Sequence, residues 1–182
     1  NNYGLRIFTN EINTTAYTLG KTQSGNISEA GEQDIYTFTG KVGQQLYFDA
    51  LNNNRYKFNM RLIAPSTKEL YTGGIENDRD SATIDDPYST NYYPGLILEE
   101  AGTYQIVIDG RENNIGDYSF RLLDLALATN INLDTDNEIS GNLGEFVTEA
   151  QVYKFSALKG QRIYFQSNDG EYNNIYSLYK PN

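Results

Sequence analysis

TYQIVID at residues 103–109, followed across GRENNIGD by YSFRLLD at 118–124, is the stretch that decides the fold. In the first run Tyr104, Ile106 and Ile108 share one face, while Thr103, Gln105 and Asp109 share the other; in the second the apolar set is Tyr118, Phe120 and Leu122. Side chains two apart lie on the same face of a strand, so each run offers one apolar surface and one mostly polar one. Glycines at 102, 110 and 116 punctuate the two runs. Strands of this kind bury their apolar faces against a second sheet, and the two runs read as core faces of a β-sandwich.

Outward from this pair the same alternation predicts strands at Asp34–Gly40, Gln45–Leu51, Lys57–Ala64 and Leu96–Glu99, then at Gln151–Ser156, Arg162–Ser167 and Ile175–Tyr179. Gly, Asn and Asp clusters separate them. No convincing helical period is found; LDLALA at 123–128 is an ambiguous run where a strand end passes into a linker. The expected class is all-β.

The chain also repeats itself. NYGLRIF from Asn2 returns as DYSFRLL from Asp117, with Tyr3 matched to Tyr118; Gly25-Asn26-Ile27 returns as Gly141-Asn142-Leu143, and IYTF (35–38) as VYKF (152–155). KVGQQLYF (41–48) returns as LKGQRIYF (158–165), and Leu62-Ile63-Ala64-Pro65 as Leu178-Tyr179-Lys180-Pro181. The offsets run from 115 to 117, so a unit of about 116 residues fits the chain roughly one and a half times. In this phase residues 1–8 correspond to the last strand of a preceding unit, 16–125 to a complete unit and 127–182 to the first half of the next. Half a β-domain exposes strand edges and an apolar face, so something is expected to complete it.

Composition excludes much. The 182 residues contain no Cys, His or Trp, which removes zinc fingers, thiol chemistry, imidazole bases and every Ser-His-Asp or Cys-His device. Fourteen basic against 24 acidic residues give a formal charge of −10, the wrong sign for a phosphate backbone or an anionic membrane surface. No apolar run approaches the roughly 18 residues needed to cross a bilayer, so membrane insertion is not expected. The first residues, NNYGLRIF, carry neither a basic leader nor an initiator Met, and the chain is expected to be soluble and a piece of something longer. Abundant Asn, Gly and Tyr with one Met and a pI near 4.4 point to a secreted or cell-surface bacterial β-protein.

Gly102-Thr103-Tyr104 followed by Ile106-Val107-Ile108-Asp109-Gly110, and then Gly116-Asp117-Tyr118-Ser119-Phe120, resembles the bacterial pre-peptidase C-terminal (PPC) domain. Upstream, Asp34-Ile35-Tyr36-Thr37-Phe38, the Gly43 turn, Leu46-Tyr47-Phe48 and Arg61-Leu62-Ile63-Ala64-Pro65 are similar to that family in order and spacing. The resemblance implies a jelly-roll-like β-sandwich, carried by secreted proteases and collagenases and by long surface proteins. In such proteins it implies a non-catalytic module for binding, targeting or spacing, some members of which bind calcium. No peptidase is attached here, which favours a repeat array.

Three groups of residues are candidates for function. Asn77, Asp78, Asp80, Asp85 and Asp86 in one loop, and Asp134, Asp136, Asn137 and Glu138 in another, offer the hard oxygens that Ca2+ takes in sets of six to eight. Neither has EF-hand spacing, and the counterpart of Asp134–Glu138 in the whole unit, LGKTQ at 19–23, has no carboxylate, so solvated acidic loops are the competing reading. Asp109, Glu112, Asn113, Asn114 and Asp117 read as Asx-type turns within a hairpin. Tyr88, Tyr92 and Tyr93 lie in a long loop, where exposed rings suit sugars or protein hot spots, against the alternative that they cap the sandwich. Tyr36, Phe38, Tyr153 and Phe155 recur at matched positions and read as core or interlayer aromatics. Glu99-Glu100 and Asp85-Asp86 are adjacent carboxylates that point to opposite faces of a strand, so they form no acid/base pair and no enzyme is expected.

Two functions follow. One is structural: a module of a surface array or filament, in which the Tyr3, Leu5 and Ile7 strand of one copy completes the half-unit of the next by strand complementation, head to tail. The other is an adhesin-like module that binds polysaccharide or matrix protein through the Tyr88–Tyr93 loop with calcium stiffening it. Nucleic acid is expected in neither.

Overall fold

The computed structural model describes residues 9, 12–51, 56–75, 96–133, 138–141, 149–166, 176, 178 and 179. Among the described residues nine strands build the sandwich: β1 (Ile12–Ala16), β2 (Gln23–Ile27), β3 (Gln33–Gly40), β4 (Gln45–Ala50), β5 (Phe58–Ile63), β6 (Glu69–Gly74), β7 (Leu96–Ile97), β8 (Gly102–Gly110) and β9 (Gly116–Asp124). A 3-10 turn at Leu125–Leu127 then leads to β10 (Thr129–Asn130) and β11 (Tyr153–Lys154).

The strands form sheets ordered β1-β3-β8-β5-β6 and β2-β9-β4-β7, with β10-β11 as a separate ladder. The pairs β2 with β9, β3 with β8, β4 with β7 and β5 with β6 are all antiparallel. Each pair nests inside the one before it, as when a long hairpin is rolled over on itself, and this is the jelly roll. β1 is an addition to the roll, parallel to β3 along its free edge, with Ile12 opposite Gln33 and Ala16 opposite Thr37.

The core lies between the two sheets and is built from the alternating residues that the sequence marks. Tyr104, Ile106 and Ile108 of β8 face Tyr118, Phe120 and Leu122 of β9, all essentially inaccessible. Phe120 is the hub: its ring stands 5.5 Å from Tyr36, 5.6 Å from Phe48 and 5.6 Å from Tyr17, centroid to centroid. Burying each such ring contributes about 1.5–3 kcal/mol, and the offset and edge-on arrangements add to that.

Several expectations need correction. β8 and β9 belong to different sheets, so residues 110–116 form an arch across the sandwich and not a hairpin turn. The reason is that each strand has one strongly apolar face, and the two faces are buried best by turning toward each other from opposite sheets. Within the arch the Asn114 side-chain amide does donate to Arg111 C=O at 2.9 Å, closing a local turn. Residues 161–166 carry no strand, although alternation predicts one at Arg162–Ser167. Tyr153 is partly exposed whereas its match Tyr36 is core. LDLALA resolves into the end of β9 and the 3-10 turn, which Asp124 caps by accepting from Ala126 N–H at 2.9 Å.

Candidate functional site

The outer face of the β2-β9-β4-β7 sheet holds the most unusual chemistry of the described residues. On β4, Leu46, Phe48 and Ala50 point into the core, which sends Tyr47 and Asp49 to the other side; a carboxylate there would normally meet water. Asp49 is instead fully buried. Its cross-strand partner on β9 is Arg121, 72 residues away in sequence. The guanidinium donates to the carboxylate through Nε at 2.7 Å and also through Nη2.

This pair grips a later stretch of the chain, at Glu149 and Ala150. Asp49 Oδ1 accepts from Ala150 N–H at 3.0 Å, while Arg121 Nη2 donates to Ala150 C=O at 3.1 Å. Both backbone groups of one residue are thus satisfied by a side-chain pair, as a neighbouring strand would satisfy them. Arg121 Nη1 lies 3.2 Å from Glu149 as well. The linker is tied down on both sides of the latch: Gln44 donates to Asp124 at 2.7 Å, and Lys154 Nζ donates to Ala126 C=O at 2.6 Å. A groove of about 200 Å³ runs alongside, between Leu19, Gly20 and Leu123 on one side and Gln151 and Val152 on the other.

Burial pushes the Asp49 carboxyl up to about 6, against the opposing pull of Arg121 and the Ala150 N–H. Taking both ions out of water offsets much of their attraction, so the pair adds little net stability. Removing one partner strands the other, at a cost of about 3–5 kcal/mol. Such a pair is therefore suited to fixing geometry.

A second buried polar group sits inside the sandwich. Tyr118 donates to Asp34 at 2.5 Å, and the Tyr36 and Tyr118 hydroxyls lie 2.6 Å apart. Desolvation holds both phenols above their usual range, and in Tyr118 the bond to Asp34 pushes the same way. The two phenols remain neutral donors. A Cβ on Gly25 would fall 2.2 Å from the Tyr118 hydroxyl and 2.7 Å from that of Tyr36, so only glycine lets β2 cross there. With its oxygens committed inside the core, this group orders the packing and has no path to a substrate. The sequence does signal it, because Asp34 shares the inward face of Tyr36 and Phe38.

Local features of residues 25–44 return at 141–161. Gly43 and Gly160 both adopt left-handed φ, at 76° and 82°. In the first turn Lys41 N–H donates to the Gln44 side chain at 3.0 Å, and in the second Leu158 N–H donates to the Gln161 side chain at 2.9 Å. β10 runs parallel to β11 as β1 does to β3. A Cβ on Gly141 would stand 3.3 Å from the Tyr153 hydroxyl, echoing Gly25 under Tyr36.

Most residues singled out from the sequence lie outside the described residues: Asn77, Asp78, Asp80, Asp85, Asp86, Tyr88, Tyr92, Tyr93, Asp134 and Asp136, and the strand residues Tyr3, Leu5 and Ile7. Glu138 is described and exposed. Among the described residues no cluster of three or more carboxylates is placed to hold a metal ion, and no helix is long and apolar enough to cross a membrane. Glu99 pairs with Lys68 at 2.9 Å and Glu100 accepts from Ser66 N–H at 3.0 Å, so both brace the β5–β6 turn. The Asp49–Arg121 latch itself escaped sequence reading, since its members are far apart and neither belongs to a motif.

No family model and no curated protein matches the chain. Solved structures similar to it include the periplasmic inhibitor of g-type lysozyme PliG from Aeromonas hydrophila, at 12% identity and a TM-score of 0.48, covering 63% of this chain and 98% of that one. The pre-peptidase C-terminal domain of collagenase from Bacillus anthracis is similar at 17% identity and a TM-score of 0.39, covering 64% and 99%. PliG from Salmonella Typhimurium is similar at 16% identity and a TM-score of 0.43, covering 61% and 97%.

Proposed function

We propose that this chain is a non-catalytic structural repeat module of a secreted or cell-surface bacterial protein, and that its work is to hold successive β-sandwich units end to end. The observation that carries the reading is the latch, in which a fully buried Asp49 and Arg121 bind both backbone groups of Ala150 in the following segment. A solvent-facing strand position is an expensive place for a buried carboxylate, and the cost is understandable if the orientation of the next unit depends on it. The commitment of Asp34, Glu99 and Glu100 to internal partners supports a role without catalysis. The acidic, cysteine-free composition and the PPC-like sequence pattern support the extracellular setting.

Hydrogen exchange on the Ala150 amide tests the reading. In the natural sequence this amide should be protected by at least 100-fold over a free peptide. Asp49→Ala and Arg121→Ala should remove that protection and open residues 125–150 to protease, while β8 amides remain protected. An Ala150 amide that exchanges freely before any mutation would mean that the units are not held, and the reading would fail.

A further inference from the structure

The latch gathers an odd number of charges. Asp49 and Arg121 cancel each other whether or not the later stretch is docked, since they stand opposite one another on neighbouring strands of one sheet. Docking of residues 149 and 150 brings a second carboxylate, Glu149, to 3.2 Å from the same guanidinium. It also takes the pair out of water, leaving the Asp49 side chain fully buried and that of Arg121 17% exposed. Two carboxylates and one guanidinium then share a site with little solvent, and the closed latch holds one negative charge more than it can balance. A single proton removes the excess.

We propose that the latch is a proton-coupled joint, which closes on Glu149 and Ala150 with uptake of one proton by Asp49 and loosens when both carboxylates are ionised; this rests on the reading of the latch given above. With Asp49 neutral, Glu149 remains as the counter-ion of Arg121, so the guanidinium is not left unpaired in the closed state. The Ala150 C=O keeps its bond from Arg121 Nη2 as well. The proton thus relieves the excess charge without breaking the grip on the backbone.

Burial contributes most to the preference of the closed latch for the acid form, pushing Asp49 up to about 6, and the Glu149 charge acts in the same direction; Arg121 and the Ala150 N–H pull against them. With the stretch undocked, Asp49 lies on the outward face of β4, hydrated and still beside Arg121, where a carboxyl titrates near its ordinary value of about 4. The closed state therefore binds the proton more tightly than the open one. Closure is strongest below about pH 4 and weakens as pH rises through about 6. Other ionisable groups nearby take no part. Burial holds the Tyr17 phenol above its usual range and so neutral, and Tyr47, on the same face of β4, is buried. Asp124 and Lys154, along the groove, are engaged by Gln44 and by Ala126 C=O.

Hydrogen exchange at the Ala150 amide, corrected for the intrinsic rate at each pH, reads the joint directly. Its protection should fall about 50-fold from pH 4 to pH 7.5, while β8 amides stay the more protected throughout. The Asp49 carboxyl carbon, followed by NMR, should titrate over the same range with a midpoint of about 6. Asp49→Asn keeps an oxygen for the Ala150 N–H and should make the protection independent of pH. Glu149→Gln should narrow the fall and leave the share that comes from burial. Protection that is flat or rises with pH, or a carboxyl midpoint at or below about 4, would overturn the joint while the latch itself stands. A fall as large in Asp49→Asn would also overturn it, by assigning the proton to another group. If β8 amides exchange as readily as Ala150, the stretch leaves only on global unfolding and there is no joint. An Ala150 amide unprotected at both ends of the pH range overturns the latch reading itself, a result distinct from all the others.

Discussion

Residues 41–48 and 158–165 have the same pattern, KVGQQLYF and LKGQRIYF, and the same turn, with a left-handed glycine and a glutamine side chain accepting from the residue three before it. Beyond the turn they part. Residues 45–50 become a central strand between β9 and β7, whereas 161–166 form no ladder and leave Ile163 and Phe165 partly exposed, with the Phe165 ring 4.6 Å from that of Tyr176. The turn is closed by bonds within four residues and needs nothing else. The strand needs a partner on its hydrogen-bonding edge and a cover on its apolar face, and these come from residues some 70 positions away. The two regions separate what a short sequence can do alone from what it does only in company.

Truncating the matched rings should give the largest contrast. Phe48→Ala should cost about 3–5 kcal/mol in urea unfolding, as a large cavity opens against Phe120, while Phe165→Ala in the monomer should cost less than about 1 kcal/mol. Equal costs would show that the face of the second unit is already closed within one chain.

A pH series isolates the latch, since Asp49 is matched by Gln166, which does not titrate. Asp49 has its folded value raised to about 6, mainly by burial, above an unfolded value near 4. Between those values the native state holds a proton that the unfolded chain has released, so this group stabilises the fold fully below about pH 4 and the contribution is lost as pH rises through 6. Relative to Asp49→Asn, the natural sequence should lose on the order of 2–3 kcal/mol between pH 4 and 7. A difference that grows with pH would mean that the Arg121 bonds outweigh desolvation.

The smallest contrast is at the matched glycines. Gly25→Ala drives a methyl into the Tyr118 and Tyr36 hydroxyls and should cost about 1–3 kcal/mol. Gly141→Ala meets only the Tyr153 hydroxyl at 3.3 Å and should stay within about 0.5 kcal/mol. A melt that falls equally for both would place a closed core over Gly141.

Where a strand buries one face deeply, its alternation was readable: β3, β5, β8 and β9 lie within one or two residues of where Tyr36, Met60, Ile106 and Phe120 put them. β1, β2, β6 and β10 left no such trace. INTTA is exposed throughout, and QSGNI and ELYTGG each bury only their last residue. These segments are strands because a neighbour's N–H and C=O groups are there to be met, and backbone pairing carries no side-chain pattern. Asp49 was legible as a polar residue on an outward face, but nothing near it in sequence announced that Ala150 would cover it.

The all-β class, the inward faces of the central strands and the glycine turns are written in the sequence alone, because each rests on spacings of a few residues. Which sheet each strand joins, the arch of residues 110–116 between sheets and the meeting of Asp49, Arg121 and Ala150 are settled in three dimensions. Those outcomes depend on contacts between residues 29 to 101 positions apart, which form when whole faces find one another and which no local pattern encodes.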